Sequence, residues 1–248
     1  MTHCIVNFAR GHWFKRPLEL MLDSLITQQS YQGPLLLFKD ESEIGAPRLE
    51  DIPYGFKPYA IIAAAKMGYS QILWLDCSVR VISDIQPAFD MLSQDGYLLL
   101  QNADNPDPSD KIGPWASDEA LEKFSVSRDI AMGLPTCAAG VFGVSVERNP
   151  TRDQAMSMPT TCGTFFGLDL TNSIGSAILA GLMQNLPLFR GSYSNENGQV
   201  SKDPRCLGHR HDQTILSLVA WRLGIDARHQ WVPLKKIFYR DPRPLEKL

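Results

Sequence analysis

Over the first hundred residues, short apolar runs alternate with segments whose apolar residues recur at helical spacing, and that alternation leaves few folds open. HCIVNFA (3–9), PLLLF (34–38), QILWLD (71–76) and GYLLLQ (96–101) read as buried strands. Between them, PLELMLDSLIT places Leu18, Met21, Leu22 and Leu25 on one helical face. FKPYAIIAAAKMGY is a helix closing at Gly68, and DIQPAFDML aligns Ile85, Phe89 and Leu92. Strands alternating with helices imply a mostly parallel sheet with crossovers, an α/β fold with helices on both faces.

The second half is less regular. ADNPDPSDKIGP (103–114) is a polar, proline-rich loop, and CAAGVFGVSV (137–146) is a small-residue strand whose glycines permit close backbone approach. Residues 147–172 show no clean period and read as an irregular excursion with one short strand at TFFGLDL. SIGSAILAGLMQNL and DQTILSLVAWRLG are helices, the second closing at Gly224, with a long polar loop between them and a locally basic tail.

A length of 248 residues suits one α/β domain, 1–248, with a first half over about 1–101 and a second half and tail over about 102–248. Hydrophobic residues at 44% and charged residues at 21% are those of a globular chain. A net charge of −3 gives no support to non-specific nucleic-acid binding, which draws on a basic excess. The N-terminal apolar run is too short for a signal peptide, and no stretch approaches the roughly 20 residues of a membrane span. Five widely spaced cysteines without a CxxC pair argue against a disulfide framework and fit a reducing cytoplasm.

Asp76 follows ILWL directly, so its carboxylate stands at the carboxyl end of a parallel strand, where open α/β sheets bind ligands. It could hold a divalent cation through oxygen, or merely cap the following turn. Asp212 falls at the start of a helix, where it could act as a general base or only as a cap. Lys57 could meet phosphate or be a solvated residue at a helix start, and Arg10, near the end of the first strand, carries the same ambiguity. His209 and His211 alternate before Asp212, so an extended loop turns only one toward a cleft. Cys206, His209 and His211 lack a fourth ligand nearby for zinc. Trp74 and Trp221 lie in apolar runs and read as core. No phosphate-binding GxxxxGK[ST] loop occurs.

FKPYAIIAAAKMGYSQILWLDCSVRVISDI (56–85) resembles the nucleotide-binding half of GT-A-type glycosyltransferases, in which a lysine-containing helix precedes a strand ending in an acidic DxD-like motif. Here that motif is Asp76-Cys77-Ser78, a DxS variant. CAAGVFGV is similar to the strand lining the acceptor cleft, and HRHDQTILSLVA to a later motif with an acid at a helix start. The three matches span roughly 57–223, and HCIVNFA takes the place where the family contacts the base.

The resemblance implies a Rossmann-like GT-A fold and transfer of a hexosyl or pentosyl group from a nucleotide-diphosphate sugar, with a UDP-sugar as the expected donor, to a glycan or other hydroxyl acceptor. It implies Mn²⁺ or Mg²⁺ at Asp76 and Ser78, chemistry at Asp76 and Asp212, and substrate contacts from Asn7, Arg10, Lys57, Ala139, Gly140, His209, His211 and Gln213. A hydroxyl in place of the second acid implies a weaker metal site. The alternative is a non-catalytic module of the same fold that binds nucleotide or glycan without turnover.

Overall fold

A computed structural model describes residues 2–11, 14–27, 31–101, 110–137 and 165–240. In chain order the elements are β1 (His3–Phe8), α1 (Lys15–Thr27), β2 (Leu35–Phe38), α2 (Phe56–Lys66), β3 (Gln71–Leu75), β4 (Val79–Val81), α3 (Gln86–Asp95) and β5 (Tyr97–Leu98). They continue with α4 (Asp118–Phe124), α5 (Arg128–Ala131), β6 (Phe165–Asp169), α6 (Ser173–Gln184), α7 (His211–Arg222), α8 (Trp231–Ile237) and β7 (Phe238–Arg240).

The central sheet has the order β2-β1-β3-β6-β5. β1 pairs in parallel with β2 and β3, whereas β6 runs antiparallel to both β3 and β5. Four strands therefore point one way and β6 opposes them, so the fold is mixed α/β with a mainly parallel sheet. TFFGLDL is the source of the opposing strand, inserted between two first-half strands.

Strand alternation explains the two layers of core. Cys4, Val6, Ile72 and Trp74 face one cluster, filled from the helix side by Ala60, Ile61 and Ala64 of α2, Ile178 and Leu182 of α6, and Ile215 and Leu218 of α7. Ile5, Leu73 and Leu75 face the other, with Met21 and Leu25 of α1, Phe89 and Leu92 of α3, and Leu234 of α8. The alanines at 60 and 64, one helical turn apart and fully buried, let α2 lie close to the sheet. Gly175 does the same for α6, since a Cβ there would lie 2.2 Å from the Asp169 carbonyl oxygen. Gly68 and Gly224 follow the ends of α2 and α7 in the left-handed region, at φ 94° and 69°, which glycine adopts without strain.

Several readings need correction. Helices α4, α5 and α8 and the ribbon β4–β7 carry too little periodicity to be seen in the sequence. GYLLLQ forms only a two-residue strand, followed by an isolated bridge from Gln101 to Cys137. Trp221, read as core, is 37% exposed on α7, whereas Trp74 is buried. The small-residue strand after Cys137, most of the excursion at 147–172 and the tail beyond 240 lie outside the described residues. Among those residues, no helix is long and apolar enough to cross a membrane.

Candidate functional site

Three segments far apart in sequence meet at the carboxyl end of β3. Phe56, the first residue of α2, stacks on Phe8 at the end of β1 with centroids 4.3 Å apart and lies 5.9 Å from the Trp74 ring. This packing seats the start of α2 over the ends of β1 and β3 and turns Lys57 inward, where it is 2% exposed. The Lys57 Nζ donates to Asp212 Oδ2 at 2.6 Å and stands 3.7 Å from Asp76 Oδ1. Its ammonium also lies 5.1 Å from the Tyr54 ring centroid and 5.6 Å from that of Trp74.

Asp76 is held from both sides. The Trp74 indole N–H donates to its Oδ1 at 2.6 Å. Asn7, expected to contact a substrate, is instead fully buried: its Nδ2 donates to the Leu75 carbonyl at 2.6 Å and its Oδ1 accepts from the Cys77 thiol at 3.5 Å. Asn7 thus braces the residues on either side of Asp76. Burial pushes the Cys77 thiol up to about 12, so it remains a neutral packing group.

Asp212 lies in the first turn of α7, whose positive dipole end favours a carboxylate, but the N-cap is Arg210 and the pure capping reading falls with it. The preceding loop is held in place by close packing. Gly208 passes so near Tyr193 that a Cβ would lie 1.8 Å from the Tyr193 carbonyl oxygen. His209 is fully buried, with Nδ1 accepting from the Ser117 N–H at 3.2 Å and Nε2 paired with the Leu188 carbonyl at 2.8 Å. A carbonyl only accepts, so Nε2 carries the proton and the ring is neutral. Desolvation by burial, with a contribution from His211, lowers its pKa to about 4. Neither nitrogen is left for a substrate, which corrects the expectation for His209.

His211 differs. It is part-exposed, and its Nδ1 donates to the Phe189 carbonyl at 2.8 Å. Its ring lies 5.6 Å from that of Tyr54. Both residues have left-handed backbones, φ 59° at Tyr54 and 41° at His211, conformations that cost non-glycine residues about 1–3 kcal/mol and gather at functional sites. Lys57 and Asp212 form the polar end of a small hollow otherwise lined by Pro58, Phe166, Leu182, Phe189 and Leu216.

Gln213 is buried within α7, and Arg10 is tied to Glu41 at 2.9 Å and Glu50 at 3.1 Å, a surface network separate from the Lys57 ion pairs. Ala139 and Gly140 lie outside the described residues. Sequence reasoning missed Tyr54, Trp115, Tyr193 and Arg210. Only Arg210 left a signal, standing within HRHDQ itself.

A divalent ion can be weighed against the donor set. Ser78 Oγ is buried and has no hydrogen-bond partner among the described residues, an orphan two positions from Asp76. A Mg²⁺ or Mn²⁺ ion bound by one or two protein oxygens and completed by substrate phosphates and water suits such a pair. No group of three or more His, Cys, Asp or Glu side chains able to hold a metal occurs among the described residues, and this includes Cys206, His209 and His211.

No protein-family model matches the chain, and no curated protein matches it. The solved structures it resembles include glycosyltransferases. One is the bifunctional glycosyltransferase WbbM, with 10% identity, 88% of this chain and 37% of that chain covered, and a TM-score of 0.46. The galactosyltransferase LgtC in complex with donor and acceptor sugar analogues gives 13% identity, coverages of 87% and 70%, and a TM-score of 0.38. Mouse xyloside xylosyltransferase 1 gives 8% identity, coverages of 89% and 82%, and a TM-score of 0.37. The chain thus spans little more than a third of WbbM. Likenesses this distant assign no donor, acceptor or residue role.

Proposed function

We propose that the chain is a glycosyltransferase that moves a hexosyl or pentosyl group from a nucleotide-diphosphate sugar, with a UDP-sugar as the expected donor, to a hydroxyl of a glycan or other acceptor. The observation that carries this reading is Lys57, buried at the carboxyl end of β3 between Asp76 and Asp212. Among the described residues one ammonium faces two carboxylates here, in a setting where charges interact more strongly than in water.

Lys57 engages one oxygen of Asp212, its Oδ2, in the ion pair. A donor diphosphate that draws the ammonium toward itself loosens that pair and frees the carboxylate. Asp212 then takes the proton of the acceptor hydroxyl. The acceptor oxygen bonds to the anomeric carbon as the bond to the diphosphate breaks, and the electron pair leaves with the diphosphate. Asp76 and Ser78 would hold a divalent ion, which when bound would offset charge on the departing diphosphate.

A panel of nucleotide sugars, with Mn²⁺ or Mg²⁺ and with EDTA, tests the proposal through thermal stabilisation and release of free nucleotide. Donor-dependent release that rises with acceptor supports transfer. Stabilisation without release identifies a binding module instead. Because Lys57 already brings positive charge to Asp76, EDTA should weaken donor affinity by no more than about tenfold, or ~1.4 kcal/mol.

A further inference from the structure

Arg210 is a buried cation that forms no ion pair among the described residues. It is 8% exposed, its guanidinium lies 3.7 Å from the centroid of the Trp115 ring, and its Nε is buried with no hydrogen-bond partner among the described residues. Asp212, two residues along the chain, is committed to Lys57. Burying an unpaired charge is costly, and a cation at the N-cap of α7 also meets the positive end of the helix dipole. Stacking on Trp115 returns only part of that, typically about 1–2 kcal/mol.

The surroundings form a wall. Trp115 lies 5.8 Å from Tyr193, Tyr193 6.4 Å from His211, and His211 5.6 Å from Tyr54, over which Lys57 sits. Four rings therefore connect Arg210 at one end to Lys57 at the other, and the three beyond Trp115, those of Tyr193, His211 and Tyr54, are partly exposed. We infer that Arg210 is an oxyanion-binding residue, receiving a phosphate or carboxylate group of a sugar-linked ligand through its planar fork of donors. It rests on the transfer reading only in taking that ligand to be sugar-linked. Two sources share this chemistry, the diphosphate of the donor and an acidic group on the acceptor.

Calorimetry with inorganic pyrophosphate, UDP and free glucuronate, on the wild type, Arg210→Met and Arg210→Lys, separates them. Wild-type protein should bind at least one probe, and Arg210→Met should lose that affinity tenfold or more while melting no lower, because it removes an unpaired buried charge. Arg210→Lys keeps the charge but not the fork, so it should fall between the two and serves if the Met variant fails to fold. Loss confined to pyrophosphate and UDP assigns the donor, and loss confined to glucuronate assigns an acidic acceptor. Unchanged affinities, a wild type that binds no probe, or a lower melting temperature with intact binding would each overturn the proposal and leave Arg210 a packing residue. Turnover plays no part in this readout, so oxyanion binding without sugar transfer would sink the transfer reading and leave the role of Arg210 standing.

Discussion

Lys57 stands in the first turn of α2, where the helix dipole disfavours a cation and burial removes its water, so its position depends on the two carboxylates beside it. Removing the charge by Lys57→Met leaves Asp76 and Asp212 without it, and breaking a buried ionic group in this way costs about 3–5 kcal/mol. For a chain of this size that lowers the melting temperature by roughly 10 °C. A thermal melt measures it directly, and a variant as stable as the wild type would show the carboxylates to be solvated without the lysine. Asp212→Asn asks a different question, since it removes a base and keeps the shape. Turnover should fall by about 10²- to 10⁴-fold while donor affinity, read by calorimetry, is retained. Wild-type turnover would remove Asp212 from the chemistry, and equal losses of affinity and turnover would move it onto the donor. Asp76 and Asp212 could be singled out in the sequence because strand ends and helix starts have a fixed relation to ligand sites. The buried state of Lys57 could not, because it depends on the Phe56 contact with Phe8, 48 residues away in sequence.

At the scale of elements, the first half was legible because β1 and β3 are apolar and buried nearly throughout and α1 and α3 carry an apolar stripe. β6 was harder. Its five residues pair with β3 and β5 against the prevailing direction, and strand direction leaves no trace in composition. The helices α4 and α5 have N-caps in Ser117 and Ser127, whose hydroxyls accept from Ala120 and Ile130, but seven and four residues are too few to establish a period. How α6 meets the sheet gives a sharp test. Gly175 lies against the carbonyls of Asp169 and Gly96, so Gly175→Ala must push helix and sheet apart. Overpacking of this kind costs about 1–3 kcal/mol despite the better helix propensity of alanine. A denaturation midpoint that rises instead would mean that α6 shifts freely.

Across the whole molecule, the loop carrying the site is fastened to the core through a histidine that must stay neutral, and this makes stability depend on pH in a definite direction. His209 joins the Ser117 amide ahead of α4 to the Leu188 carbonyl, two segments that lie on either side of the α7 start. Its pKa is about 4 in the folded protein because burial penalises the charged ring, against an ordinary value of 6.5. Above 6.5 both folded and unfolded chains carry it neutral, and it contributes no pH dependence. Between 6.5 and about 4 the unfolded chain takes up the proton and the folded one does not, so stability falls as pH falls, by about 1.4 kcal/mol per unit and about 3 kcal/mol in all. Below about 4 the folded form protonates too and the loss levels off. Carboxylates titrate over part of the same range, so the comparison has to be with His209→Gln, which keeps them all. Denaturant unfolding of both proteins at pH 7 and pH 4.5 should show the wild type losing more stability than the variant by roughly 2–3 kcal/mol, even if the variant is less stable at pH 7. Equal losses would mean that the ring is solvated enough to protonate in place, and that the loop bearing Arg210, His211 and Asp212 is held by something other than this neutral clamp.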